Sequence, residues 1–146
     1  MSGIERTGHF WDIIAGRAEP PSAAKLLDWM FVRVDDEAQR LYCRFTATDA
    51  MLNPAGTVQG GFLAAMLDEA TGPAAAALLG GRFVSQTLEM KVNYLRPARV
   101  GPIYGEGGIV QRGRTILFLE GCLKDADGRL LATASLTARV VPMASE

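Results

Sequence analysis

Asn53-Pro54-Ala55-Gly56-Thr57-Val58-Gln59-Gly60-Gly61 leads without interruption into residues 62–79, FLAAMLDEATGPAAAALL, and the joining of this loop to this apolar run decides the fold. The run is dominated by Ala, Leu and Met, strong helix formers, with only Asp68 and Glu69 charged, which predicts one buried helix. About 18 residues at 1.5 Å each give a length of about 27 Å, the width of a small domain, so the rest of the chain has a single element to wrap. Pro73 marks the place where a bend is expected.

Two acids in such a helix require a reason. Asp68 and Glu69 are neighbours and point about 100° apart, so one pocket takes at most one of them squarely. Asp68 shares its face with the small residues Ala64, Ala65, Thr71, Gly72 and Ala75, which leave room for a ligand or another backbone; Glu69 shares its face with Met66 and Pro73. Asp68 is therefore the functional candidate, in a setting whose burial would raise a carboxyl pKa. A solvated or neutralised structural acid is the plain alternative. At the other end, Gly60 and Gly61 let a backbone come close to a ligand, and the helix start offers unpaired N–H groups and positive dipole, suited to a polarised carbonyl or an oxyanion. A tight loop-to-helix turn explains the same glycines. Gly60 and Asp68 stand eight residues apart, about 12 Å along one helix, whereas groups acting on one reacting centre must approach to about 3 Å. If both serve one site, two chains build it.

The surrounding chain fits an ordinary globular domain. It has 146 residues, 49% hydrophobic and 21% charged, enough for one good core. A net charge of −1 and a pI of about 5.9 give no electrostatic footprint for nucleic acid or an anionic membrane. The run at 62–79 is long enough to suggest a membrane span, but its central acids, its glycine and proline and the lack of flanking cations argue against one. Cys43 and Cys122 follow no metal-type spacing and read as buried free thiols; with no targeting signal, the expected location is the cytoplasm.

In chain order, Met1 to Gly8 is expected to fray, and residues 1–28 form an N-terminal helical segment: His9 to Ala18, stopped by Pro20-Pro21, then Ala23 to Leu27. His9, the only histidine, reads as packing beside an aromatic pair rather than as a base. Residues 29–146 form the main domain. Trp29 to Val34 and Arg40 to Ala47 suggest a hairpin across Asp35-Asp36-Glu37. After the helix stop at Gly80-Gly81, Ser85 to Leu95 alternates Thr87, Glu89, Lys91 and Asn93 with Leu88, Met90, Val92 and Tyr94, a strand with one polar face. Ile103 to Gln111 and Thr115 to Lys124 follow, joined through Arg112-Gly113-Arg114, and Leu130 to Val141 comes last after the Asp125–Gly128 turn. Two strands, a long helix and four strands make an α+β fold, an antiparallel sheet around a helix.

These features together resemble the hotdog-fold acyl-CoA thioesterases, specifically their PaaI-type branch. The resemblance rests on Asn53 with Gly56-Thr57, the Gly60-Gly61 helix start, Asp68 eight residues on, Thr87 to Pro97, the Gly113-Arg114 turn and Asp127-Gly128, and covers nearly all of the chain after about Trp29. It implies a six-stranded sheet wrapped around one central helix, a homodimer or homotetramer, and hydrolysis of acyl-CoA or carrier-protein thioesters at sites on the dimer interface. It further implies that Gly60 donates its N–H to the thioester carbonyl, that Asp68 of the partner chain is nucleophile or general base, that Thr87 holds the carboxylate or the water, and that Asn53 helps place the water or thioester. Arg112 and Arg114, flanking Gly113, are candidates for the phosphates of coenzyme A, although a solvated turn explains them equally well. Val58, Gly61 and Phe62, with Leu52 and Met66, are expected around the acyl group. No cofactor or metal is implied.

Gln59 departs from the branch, many members of which carry histidine before the glycine pair. Glutamine forms hydrogen bonds but cannot titrate. That substitution keeps open a second class, a non-catalytic acyl-CoA-binding or sensing protein on the same scaffold. Asp68 counts against it, because a binding pocket gains little from a carboxylate near an acyl chain. A hydratase ranks last, since its usual Asp/His pair would have to draw on His9.

Overall fold

The structure is a computed structural model that describes residues 6–143. Its elements are α1 (His9–Ile14), α2 (Ser22–Leu26), β1 (Met30–Asp35), β2 (Arg40–Ala47), a 3-10 turn (Asp49–Met51), α3 (Gly60–Leu78), β3 (Phe83–Tyr94), β4 (Gly101–Arg112), β5 (Ile116–Lys124) and β6 (Leu130–Pro142). The six strands form one antiparallel sheet in the order β1-β2-β4-β5-β6-β3, which leaves β3 on an edge. No helix among the described residues is long and apolar enough to cross a membrane.

The sheet closes on α3 because both surfaces are thin. Ala70, Ala74, Ala75 and Ala77 on the helix are fully buried. Opposite them β4 and β5 carry glycines: a Cβ on Gly107 would collide with the Ala70 carbonyl, and one on Gly121 would lie 2.8 Å from the Thr71 methyl. Glycine inside a strand marks such a close approach. Around this contact the core takes the inward half of each strand, as in β2, where Leu41, Cys43, Phe45 and Ala47 are buried and the residues between them are not. Cys43 thus lies on the inner face while Cys122 faces outward and donates to Glu106 Oε2 at 2.9 Å, so the two thiols are free and on opposite faces. Burial pushes both up to about 12, which leaves them protonated and unreactive near neutral pH.

The ends of α3 are built differently. Its C-terminus closes with Gly81 N–H on the Ala76 carbonyl (2.7 Å) and Gly80 N–H on the Ala77 carbonyl (3.3 Å), both glycines at positive φ, the paired bonds of a Schellman cap. Gly81 also has no room for a side chain, because the Thr7 carbonyl lies against it. Of the N-terminal stretch expected to fray, residues 1–5 lie outside the described residues, and Thr7 and Gly8 are instead pressed onto this helix end. Helix α1 stops short of Ala18 because Gly16 turns to φ +75° and the Arg17 and Ala18 N–H groups fold back onto the Asp12 carbonyl at 2.7 and 3.2 Å. Its Phe10 and Trp11 join the core, with the Phe10 ring 6.3 Å from Trp29 and the Trp11 ring 6.0 Å from Phe31, both edge to face.

Candidate active site

The loop before α3 is shaped by Asn53. Its Oδ1 accepts from Ala55 N–H (3.0 Å) and Thr57 N–H (3.2 Å), and its Nδ2 donates to Thr57 Oγ1 at 2.9 Å. Gly56, at φ +77°, completes the turn. The loop is pinned on both sides by Val58 N–H to the Ala98 carbonyl (3.0 Å) and Gln59 N–H to the Met51 carbonyl (2.8 Å). Asn53 is therefore committed to the loop, with one amide hydrogen left over.

Gln59 occupies the N-cap position without a side-chain capping bond. The Phe62 and Leu63 N–H groups bond the Gln59 carbonyl at 2.9 and 3.4 Å, and the Gly60 and Gly61 N–H groups have no acceptor among the described residues. Two free donors at the positive end of a 19-residue helix form an anion-seeking pair. Gly60 makes room for the ring of Tyr94, 3.2 Å from where its Cβ would be, and accepts the Tyr94 hydroxyl on its carbonyl at 2.9 Å. Among the described residues, nothing beyond its chain neighbours and its own helix turn lies within 4 Å of a Cβ on Gly61. Space outside the chain, not packing within it, is what that glycine preserves.

Eight residues on, the helix presents Asp68 to solvent rather than burying it. Most of α3 is buried, as its composition predicts, by β2, β3, β4 and β5, while Gly61 and Asp68 remain exposed. Thr87 Oγ1 donates to Asp68 Oδ1 at 2.7 Å. That contact depends on a bulge. By strict alternation Thr87 belongs with Glu89, Lys91 and Asn93 on the outer face, but the register slips between Thr87 and Glu89, so that Thr87 opposes Ala138 and Met90 opposes Leu136, both buried on the helix side. The extra residue, Leu88, is pushed outward and is 60% exposed. Bulges commonly re-aim a side chain in this way.

Glu69, half-buried, is the less exposed of the two acids. Burial, with a smaller contribution from Asp68, raises its pKa above 4.5. The folded form thus holds the proton more tightly than the unfolded chain, so this group's contribution to stability is full below pH 4.5 and is lost as pH rises through the folded value. Glu69→Gln is expected to be more stable than the wild type at pH 7 and equal to it near pH 4, in parallel denaturant titrations.

Other expected residues are dispersed. Val58 and Met66 lie in the core, 4% and 0% exposed; Phe62 is half-buried, and Gln59 and Gly61 are exposed. Arg112 and Arg114 are exposed on the β4–β5 turn, closed by Gly113 N–H on the Ile116 carbonyl at 2.8 Å. One row of the sheet runs Arg112–Leu117–Ala138–Thr87, three strand spacings or about 14 Å. A cavity of about 390 Å³ at the opposite end of β4 is lined by Arg96, Arg99 and Arg129 with Asp125 and Asp127. Sequence reading passed over these arginines because they lie on two separate loops. His9 is exposed.

Comparison with known proteins bears on the fold and the family. The family model described as the thioesterase superfamily matches residues 55–132. A candidate thioesterase of Ralstonia eutropha JMP134, described as phenylacetic acid degradation-related, is 39% identical and superposes with a TM-score of 0.86 over 90% of this chain and 99% of that one. A hypothetical thioesterase of Streptococcus pneumoniae TIGR4, solved with coenzyme A, is 22% identical with a TM-score of 0.71 over 80% of this chain and 88% of that one, a likeness of fold. A candidate esterase of Saccharolobus solfataricus is 37% identical over 79 residues, 54% of this chain and 56% of that relative, so the match spans little more than half of its length. With the family model matched over more than half of its length, and six antiparallel strands packed on one long helix, this chain belongs to the thioesterase superfamily and has its hotdog fold.

Proposed function

We propose that the protein hydrolyses acyl-CoA thioesters at composite sites in a homodimer, each site joining the start of α3 from one chain to Asp68 of the other. The observation that carries this reading is the Asp68 carboxylate, exposed on α3, oriented by Thr87 at 2.7 Å, and set beside the 12-residue edge strand β3. A long free edge with Val84, Leu88 and Tyr94 exposed is a surface that needs cover, and a second copy of β3 supplies it.

In this arrangement the thioester carbonyl oxygen accepts from the free Gly60 and Gly61 N–H groups, which stabilise the negative charge that develops on it. Asp68 of the second chain either attacks the carbonyl carbon or removes a proton from the attacking water; the carbon–sulfur bond then breaks and coenzyme A leaves as a thiolate, giving the free acid directly when water attacks and, when Asp68 attacks, an anhydride that water then cleaves to the acid and the Asp68 carboxylate. Thr87 keeps the carboxylate aimed, and Asn53 acts by holding the loop that presents Gly60. Gln59 cannot supply a proton to the leaving group, but a thiolate is a good leaving group without one. Arg112, on the same sheet row as Thr87, and Arg114 in the adjoining turn meet the phosphates. The pneumococcal neighbour solved with coenzyme A supports that ligand class.

Thiol release from short, long and aryl acyl-CoAs tests the reading. Turnover of at least one class by the purified protein is expected. Binding of acyl-CoA without turnover across the panel favours the sensing protein instead, with Gln59→His as the next variant.

A further inference from the structure

The two free N–H groups at the start of α3 belong to different peptide units, and each unit is held at its carbonyl end. The Gly60 N–H shares a peptide with the Gln59 carbonyl, which accepts from Phe62 and Leu63 at 2.9 and 3.4 Å. The Gly61 N–H shares a peptide with the Gly60 carbonyl, and that carbonyl accepts the Tyr94 hydroxyl at 2.9 Å. A carbonyl oxygen has two lone pairs, so it takes this bond beside the ordinary helical one from four residues on. The reaction steps above use both donors but give the Tyr94 hydroxyl no part.

Tyr94 is fitted to this one peptide. Its ring lies over Gly60, where a Cβ would stand 3.2 Å from Cε1 and Cζ and 3.4 Å from the hydroxyl oxygen; a side chain at that position would press on the ring that carries the bond. The phenol is aimed from a fixed base. Tyr94 is the last residue of β3 and pairs with Ala132 of β6, and the next two N–H groups, of Leu95 and Arg96, both bond the Leu131 carbonyl, at 2.8 and 3.2 Å. Burial does not force the contact, because Tyr94 is 53% exposed and water would satisfy its hydroxyl. One strand thus reaches both parts of the site: Thr87 bonds the Asp68 carboxylate, and Tyr94 bonds the peptide that carries the Gly61 N–H.

We propose that Tyr94 is a positioning residue for the oxyanion site, fixing the Gly61 N–H and strengthening it as a donor through the Gly60 carbonyl. This deepens the hydrolase reading given above and rests on it. Amide resonance couples the two ends of a peptide, so a hydrogen bond accepted at the oxygen draws electron density from the nitrogen and leaves its N–H more positive. The planar unit also cannot tilt at its N–H end while its oxygen is held. Both effects grow in importance as negative charge develops on the thioester oxygen, so their loss falls on kcat rather than on KM.

Tyr94→Phe tests this, because it removes the hydroxyl and keeps the ring over Gly60; thermal unfolding should match the wild type closely. The probe is whichever of acetyl-, hexanoyl- and benzoyl-CoA the wild type binds most tightly. With it, kcat should fall about tenfold, the worth of one hydrogen bond at the upper end of its usual range, and KM should hardly change. The second readout is the infrared stretch of the isotope-labelled thioester carbonyl bound to Asp68→Asn, whose slow turnover leaves the thioester intact. That stretch should lie below its frequency in water, and adding Tyr94→Phe should return it part of the way, a response that a merely structural role would not give. Wild-type kcat in Tyr94→Phe, a loss confined to KM, or a carbonyl stretch that the substitution leaves unmoved overturns the proposal, while turnover by the wild type keeps the hydrolase reading standing. Acyl-CoA that binds the wild type and is never cleaved, with a lowered stretch that Tyr94→Phe raises, sinks the hydrolase reading and supports the positioning role.

Discussion

Asp68→Asn is expected to lower kcat for the best acyl-CoA by about a thousandfold, within the range that removal of a general base commonly costs, with KM nearly unchanged. Asparagine keeps an oxygen that accepts from Thr87, so the 2.7 Å contact survives while basicity and nucleophilicity are lost. Asp68→Ala should fall at least as far. Neither change should unfold the protein, since Asp68 is exposed and its single side-chain hydrogen bond is worth about 1 kcal/mol. Removing the charge also relieves Glu69, whose pKa Asp68 helps to raise. Steady-state kinetics beside thermal unfolding of the three proteins separates the two effects. If Asp68→Asn retains wild-type kcat, Asp68 has no part in the chemistry and the carboxylate must be sought elsewhere, with Glu69 next in line.

Much of this arrangement was legible in the residues, because the signals were local. The apolar run at 62–79 gave the helix to within two residues of its observed start, period-two alternation located the strand at Ser85 to Leu95, and turn signals bounded the other strands. Asp68, Gly60 and Thr87 were singled out as residues, and their spacing alone required a second chain for a shared site. What the residues did not reveal depends on contacts between distant segments. The bulge that turns Thr87 toward α3 interrupts an alternation that looks regular in sequence, so Thr87 seemed to belong to the outer face. The exposure of Asp68 follows from β3 lying at the edge of the sheet, a matter of strand order. Gly105, Gly107 and Gly121 were an available signal left unused: glycines spaced along strands mark where the helix comes closest. An apolar cavity of about 230 Å³ beside Gly72 was out of reach, since its walls come from α1, Pro21, α3 and β3.

Mixing two inactive variants should restore activity if the site spans two chains. Gly60→Pro removes one donor with little harm to the helix: Gly60 is the first helical residue, where proline is favoured, and Gln59 before it already has φ −56° and ψ 134°, the extended form that proline requires of its predecessor. The pyrrolidine ring must share space with the Tyr94 ring, which is exposed and free to shift. Loss of one oxyanion donor costs about a hundredfold to a thousandfold in kcat, the Gly61 N–H remaining. In a heterodimer of Gly60→Pro with Asp68→Ala, one site receives both defects and the other receives neither. Statistical assembly makes half of the dimers mixed, so co-expression in equal amounts should recover about a quarter of wild-type activity from two proteins that are each nearly inert. A site contained within one chain gives no recovery at any mixing ratio, because every chain then carries a defect of its own. That outcome would also require Gly60 and Asp68, about 12 Å apart on one rigid helix, to act on different atoms, and Gly60 would then have to be removed from the mechanism.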